Sequence, residues 1–370
     1  MRIAILCLEK GGGISHIAYE LAKAVSDKTT VTCFLAVQNN MLSEFQALPC
    51  RVRAFPMRRG PISLLMAMLA GREPSGIAQA IEADSPDIVL DAGSSGWGGV
   101  VLKPLAGRIP IAQIVHDVVP HPDLRSVIDA IPGYLQAPVA DVFVALSDFS
   151  YRLLKRKHPN QACVRARLGI IMPAGEMDLQ LVAERRHRQL FFGRIYPYKG
   201  VDTLVKAFAI AKELDPQVEL TVVGRGRIGR SVLRKISELG IGLDNRFIAD
   251  SEIRQVLSSH GVMILPYTSA TQSAVAALAL ANGMPCVATS VGGLPEQVIH
   301  RRNGLIVPPR DPEALAHAMV AISTDAEAAR RMAEESLRIG REVYSWRTIG
   351  QDLLDDLAQF LAMRRVTHVA

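Results

Sequence analysis

No stretch of this 370-residue chain approaches the roughly 18 consecutive apolar residues that a membrane-spanning helix needs. The opening run MRIAILCL stops at Glu9 with no small-residue cleavage site behind it, so it does not read as a secretory signal. Aromatic residues make up 5% of the chain, too few for the stacking platforms of a single-stranded nucleic-acid binder. The five cysteines (Cys7, Cys33, Cys50, Cys163 and Cys286) are scattered and odd in number. They form no CxxC and no Cys/His cluster, which argues against zinc and against a disulfide framework. Buried thiols in a reducing, cytoplasmic compartment are the expectation. No Asp-x-Asp triplet occurs, so a nucleotide diphosphate finds no obvious carboxylate pair to hold its metal. Acid is also missing from SATQSAVAAL, residues 269–278, although the stretch looks like a binding loop running into a helix.

What the chain has is apolar bulk. It is 49% hydrophobic with a mean hydropathy of +0.18, enough for large cores, and its length suits two domains. The formal charge is +6 and the pI about 9.1. That balance fits anionic small ligands or an anionic membrane surface as well as nucleic acid.

RIAILCL, then EKGGG, then ISHIAYELAKAVSD reads as strand, glycine turn and helix. TTVTCFLAV, RVRAFPM, PDIVLDAG, PIAQIVHD and ADVFVALSD continue the rhythm. Alternating strands and helices predict an α/β fold with parallel sheets covered on both faces. From about 158 to 188 the rhythm breaks, and Pro, Gly and charge clusters suggest an interdomain segment. It restarts at QLFFGRI and runs through VDTLVKAFAIAKEL, VELTVVG, RIGRSVLRKISELG, NRFIAD, GVMILPY, PCVATS and NGLIVPP. The expected division is an N-terminal domain over 1–175, a second Rossmann-like domain over 186–345, and a last helix over 346–370 packing back toward the first. A ligand would bind in the cleft between the two domains.

In FFGRIYPYKGVD, Gly193 ends a strand, and Arg194 and Lys199 stand five apart before a helix begins near Val201. Two cations beside a helix N-terminus suit a diphosphate; a solvated basic turn is the plainer reading. The glycines 11–13 let backbone amides approach an anion, yet a bare tight turn would look the same. The run is not GxGxxG, which argues against a dinucleotide fold. His116 and Asp117 close the strand PIAQIV, where sites in such sheets gather. VVGRGR carries Gly224 and two arginines, and GGLPE follows PCVATS.

Taken together these stretches resemble the retaining GT-B glycosyltransferases of family four, the glycosyl transferases of group 1. The pieces are the glycine loop, VHD, VALSDFS, FFGRIYPYKGVDTLVKAF, LTVVGRG, ALANGMPCVATSVGGLPEQV and NGLIVPPRDPEALAHAM, the last two and the Arg-Lys segment coming in the family's order and spacing. The resemblance implies two Rossmann-like domains and a nucleotide-sugar donor held mainly by the second. The donor diphosphate would lie on Arg194 and Lys199, with Gly12 and Gly13 reaching it from the first domain and His116 near the transferred sugar. Gly193 and Gly224 would line the donor site, and the base would sit against backbone near Phe247–Ser251. Transfer would be metal-independent, with no cofactor, and would retain anomeric configuration.

The same resemblance places two glutamates at positions that are Ala270 and Leu278 here. Thr271, Gln272 and Ser273 offer hydroxyl and amide partners in their place, and the amides of Ser273 and Ala274, which open the following helix, are expected to bind phosphate. Such neutral groups would suit a deoxysugar, though ordinary hexoses fit as well. Glu296 in GGLPE reads either as a site acid or as a helix-start residue. For the acceptor, MRRGPISLLMAMLAGR (57–72) and the bases Arg152, Lys155, Arg156, Lys157, Arg165 and Arg167 would suit an anionic membrane face and a lipid-linked or glycan acceptor of polysaccharide or lipopolysaccharide biosynthesis. An amphipathic packing helix and a solvated face are the plainer readings of the two. The competing function is a catalytically silent GT-B module that binds a nucleotide or steadies a partner enzyme. A nucleotide-sugar epimerase would need acid/base carboxylates that 269–278 lacks.

Overall fold

The computed structural model describes residues 1–57, 64, 66, 76–93, 96–118, 139–170 and 178–369. MRRGPISLLMAMLAGR and the end of VHDVVPHPD lie largely outside the described residues. The chain divides into two compact units, Met1–Ile171 with Trp346–Ala370, and Met172–Ser345.

Among the described residues the first unit holds seven parallel strands: β1 (Arg2–Cys7), β2 (Thr30–Ala36), β3 (Arg51–Phe55), β4 (Ile88–Asp91), β5 (Ile111–Val115), β6 (Val142–Ala145) and β7 (Ala162–Arg165). Their spatial order is β3-β2-β1-β4-β5-β6-β7. β1, β4 and β6 are buried almost throughout, as an interior parallel strand must be when helices cover both faces. That is why they read as short unbroken apolar runs rather than as alternating ones. The helix Gly13–Val25 buries Ile17, Ala18, Leu21, Ala22 and Val25, a stripe at helical spacing that seats it on the sheet.

The same face receives the chain's last helix, Trp346–Val369. It buries Trp346, Ile349, Leu353, Leu357 and Leu361 in a core shared with β1 and the first helix. Trp346 donates its indole N–H to the Ile170 carbonyl at 2.7 Å and lies directly over Gly169. Arg364 pairs with Asp141, whose other oxygen accepts the Ile111 amide at 2.9 Å.

The second unit repeats the scheme with β8 (Arg188–Phe192), β9 (Glu219–Val223), β10 (Gly242–Asp244), β11 (Val262–Leu265), β12 (Cys286–Thr289) and β13 (Gly304–Val307), ordered β10-β9-β8-β11-β12-β13. The helix Ala274–Ala281, sequence AVAALALA, is apolar on all sides and is correspondingly buried. Leu280 packs against Gly340 of the helix Ala326–Glu342.

The segment 158–188 departs from expectation. It contains an edge strand, β7, paired in register with β6, and a short helix, Leu179–Glu184, capped by Asp178. Four residues of strand followed by arginines give no periodic signal, and β7 exists because β6 supplies its hydrogen bonds.

Candidate functional site

In each sheet the strand order reverses between the unit's first strand and its fourth: β1 against β4, and β8 against β11. In doubly wound sheets this point, at the carboxyl ends of the strands, is where ligands bind. In the second unit it brings together two loops from opposite sides of the reversal, Gly193–Gly200 after β8 and Pro266–Ser273 after β11.

The first loop is a cationic turn. Arg194 is exposed and its guanidinium lies over the Tyr196 ring, 5.2 Å from the centroid. Tyr196 stacks on Tyr198 at 5.9 Å. The Lys199 ammonium sits 3.6 Å from the centroid of the buried Tyr267 ring, so an aromatic face from the second loop fixes where that charge stands. Burial pushes the Tyr267 phenol far above its ordinary range, with the Ser273 hydroxyl acting in the opposite direction. The loops are joined by the Thr268 amide, which donates to the Tyr198 carbonyl at 2.7 Å. They also meet at Gly200, φ +72°, where a methyl group would fall 1.9 Å from the Pro266 carbonyl oxygen. Only glycine tolerates both that conformation and that approach. Val275, in the first turn of Ala274–Ala281, lies against Gly193, so the arginine turn and this helix start are neighbours.

A third loop adds charge. Ile195 and Gly226 form a parallel bridge beyond β8 and β9, and the Ile195 amide donates to the Arg225 carbonyl at 3.0 Å. Ile195 is buried while Arg194, Arg225 and Arg227 are exposed, as alternation along paired strands requires. Asn245 holds this loop by exchanging two hydrogen bonds with the backbone of Gly226, at 3.0 and 3.1 Å. Gly193 and Gly224 pack directly on one another, and their amides donate to Val223 and Asp244 carbonyls. They shape the site and have no spare amide for a ligand.

The acid-free loop is rigid and mostly turned inward. Ala270 and Leu278, the positions where the family resemblance puts glutamates, are 8% and 5% exposed and belong to the unit's apolar core. A carboxylate at either would have to be buried. Gly292, φ +53°, lies so close to Ala270 that a methyl group there would fall 1.4 Å from its carbonyl oxygen. Buried Gln297 grips Ser273 at both ends: its Oε1 accepts the Ser273 amide and its Nε2 donates to the Ser273 carbonyl, each at 2.9 Å. This corrects the expectation that the Ser273 amide awaits a phosphate. The Ser273 hydroxyl caps the helix by accepting from Ala276 at 3.2 Å. Thr271 is buried, Gln272 half-buried and Ala274 exposed. Glu296 starts a short helix, Leu294–Gln297, and its carbonyl accepts the Tyr344 hydroxyl at 2.8 Å.

The first unit has its own polar cluster at the β1/β4 reversal. Gly12, φ +81°, and Gly13 open the first helix into open space. His116, after β5, makes a 2.9 Å contact from Nε2 to the Ala92 carbonyl. Burial lowers its pKa, against the pull of Asp117 and Glu9. Asp91, at the end of β4, is 2% exposed. Burial first, and then the nearby Glu9 carboxylate, push it up to about 8, although the Gly93 amide donates to it at 3.0 Å. The sequence reading passed over Glu9 and Asp91. Their signal was position, since both are acids at the carboxyl ends of strands that flank the reversal.

The model for the family "Glycosyl transferases group 1" matches residues 186–325, the stretch that holds β8 to β13 and all three loops. Over these residues the second unit is similar to the group 1 glycosyl transferases. Among curated relatives, the chain is 29% identical over 204 residues to a D-inositol 3-phosphate glycosyltransferase of Corynebacterium glutamicum (strain R), covering 49% of each. It is 31% identical over 227 residues to the enzyme of that name from Saccharomonospora viridis, covering 58% of this chain and 50% of the relative. The chain therefore spans about half the length of the curated relatives it matches. Among solved structures, Anabaena Alr3699/HepE in complex with UDP and glucose aligns at TM-score 0.70 and 20% identity, over 97% of this chain and 100% of that one. Sucrose-phosphate synthase from Thermosynechococcus elongatus aligns at 0.72 and 19%, over 98% and 100%. These likenesses show the fold, GT-B, with two Rossmann-like domains.

Within the second unit, then, the basic turn and the helix start are brought together, while positions 270 and 278 are filled by apolar packing. The basic stretch of the first unit is less exposed in charge than its sequence implied. Arg165 pairs with Asp148 at 3.1 Å and covers Tyr151, and Arg167 lies 3.8 Å from Asp352 of the last helix. Lys155 and Lys157 are bound to backbone carbonyls. Among the described residues, no helix is long and apolar enough to cross a membrane.

Proposed function

We propose that this protein is a glycosyltransferase that moves a sugar from a nucleoside diphosphate sugar to a glycan or lipid-linked acceptor. Arg194 and Lys199 stabilise the leaving diphosphate. The observation that carries the reading is the meeting of the Arg194/Lys199 turn with the exposed start of Ala274–Ala281 at the β8/β11 reversal. Two positioned cations and a helix N-terminus suit a diphosphate whose negative charge grows as the sugar departs.

The transfer retains anomeric configuration and uses neither cofactor nor metal. The bond from the sugar's anomeric carbon to the diphosphate breaks, its electron pair leaving with the phosphate oxygen. The acceptor hydroxyl bonds to the same face, and its proton passes to that leaving oxygen. The enzyme then has no need of a carboxylate base near the sugar, which agrees with apolar residues at 270 and 278. Positioning and charge stabilisation carry the catalysis. The burial of Ala270 and Leu278 also supports a second reading, a silent module that binds nucleotide without turnover.

Thermal-shift binding of GDP, UDP, dTDP and ADP, each with and without magnesium, tests the proposal on wild type and Arg194→Ala. A magnesium-independent rise with one nucleotide, lost in the variant, is expected, followed by turnover with that base's sugars. Binding without turnover selects the silent module. No shift with any nucleotide defeats both.

A further inference from the structure

Three of the five cysteines are chemically quiet. Burial pushes Cys7 and Cys286 up to about 12 and Cys163 up to about 11. Cys33 and Cys50 are different because they face each other, with their sulfurs 3.9 Å apart. Cys33 lies in the middle of β2, paired with β1 on one side and β3 on the other, and is fully buried. Cys50 stands one residue before β3, at the end of a tight turn in which its amide donates to the Leu48 carbonyl at 2.8 Å. It is half-buried. One thiol is thus fixed and hidden, and the other is reachable and mounted on a turn. The contact between the two thiols lowers the Cys50 pKa, while the same contact, followed by burial, raises that of Cys33. A thiol whose pKa is lowered and which solvent can reach is the reactive kind.

We propose that Cys50 and Cys33 form a thiol–disulfide exchange site that reacts with disulfides of small cellular thiols, of the glutathione class. The Cys50 thiolate attacks one sulfur of the disulfide R–S–S–R. An S–S bond forms to Cys50, and one RS⁻ leaves and takes a proton. Cys33 then attacks Cys50 Sγ and expels the second RS⁻, which takes the Cys33 proton, leaving a Cys33–Cys50 disulfide. The small disulfide gains two electrons and the protein dithiol loses two. The sulfurs must close from 3.9 Å to about 2.05 Å. The turn 47–50 provides that movement, because Cys33 is held by strand pairing on both sides. The oxidised form ties the start of edge strand β3 to β2.

The test is incubation of the full chain with oxidised glutathione at neutral pH, followed by non-reducing peptide mass mapping. In wild type the expected product is a Cys33–Cys50 cross-link, formed before any adduct on Cys163, which is also only half-buried. Cys33→Ala should stop at a lasting glutathione adduct on Cys50, and Cys50→Ser should leave Cys33 unmodified. The proposal is overturned if wild type accumulates a stable Cys50 adduct without the cross-link, or if Cys163 reacts as fast as Cys50. The wild-type map decides even where a substitution at buried Cys33 prevents folding.

Discussion

Gln297 is the clamp on the loop that lacks acids, and Gln297→Leu measures what the clamp is worth. Both hydrogen bonds of its side-chain amide go to Ser273, inside a region where Gln297 is 3% exposed and Ser273 2%. Leucine keeps much of the volume but no polar partner. The Ser273 carbonyl retains the Ala277 amide at 3.1 Å, so the Ser273 amide is the group left orphaned. An unsatisfied buried donor costs about 1–3 kcal/mol, equivalent to roughly 5-fold to 150-fold in the loop's opening constant. Hydrogen exchange across 270–277 reads this directly, because protection there should fall by that factor while strands β8 and β11 hold theirs. Gln297→Glu sharpens the test. An ionised carboxylate can accept the Ser273 amide but repels its carbonyl, so this variant should be weaker at high pH and recover as acid protonates the side chain. Donor affinity should fall in step with loop opening, since an opened loop is not competent to bind. Protection in 270–277 unchanged to within about twofold in Gln297→Leu would refute the clamp.

Arg194→Ala should lower kcat by roughly 10²- to 10³-fold if the guanidinium steadies the leaving diphosphate, with thermal stability near wild type because the side chain is exposed. Gly292→Ala should fail to fold, or unfold far below wild type on a thermal scan, because its methyl group meets the Ala270 carbonyl oxygen at 1.4 Å. Trp346→Ala removes the side chain packed on Gly169 and should cost about 3–5 kcal/mol, read as a lower urea midpoint. Asp91 titrates at about 8 when folded, against an ordinary value of 3.8. Between those values the unfolded chain binds fewer protons than the folded one, so stability should fall as pH rises from about 4 to about 8. Asp91→Asn should flatten that slope in urea titrations between pH 5 and pH 8.

The sequence carried the strand–turn–helix rhythm well because interior parallel strands such as ADVFVALSD and GVMILPY are apolar throughout. β7 escaped because a four-residue edge strand takes its identity from its neighbour. At the site, Arg194 and Lys199 were legible as two cations before a helix. That Lys199 rests on Tyr267 was not, since 68 positions separate the two residues and only the β8/β11 pairing brings them together. The Ser273 amide was misjudged for the same reason, its partner Gln297 lying on another loop. The basic stretch Arg152–Arg167 does not show in sequence that Asp352 of the last helix stands beside Arg167, a neighbour only the fold supplies.

The position of the last helix also bears on how the chain is made. The first unit starts at Met1 and is finished by Trp346–Ala370, with the whole second unit synthesised in between. Until Trp346–Ala370 is made, the seven-stranded sheet has one face bare where Trp346, Leu353 and Leu357 will lie. The second unit is complete sooner and can fold on its own schedule. A chain truncated after residue 345 would therefore carry a complete second unit and an incomplete first one, and the exposed face is where a chaperone would find it.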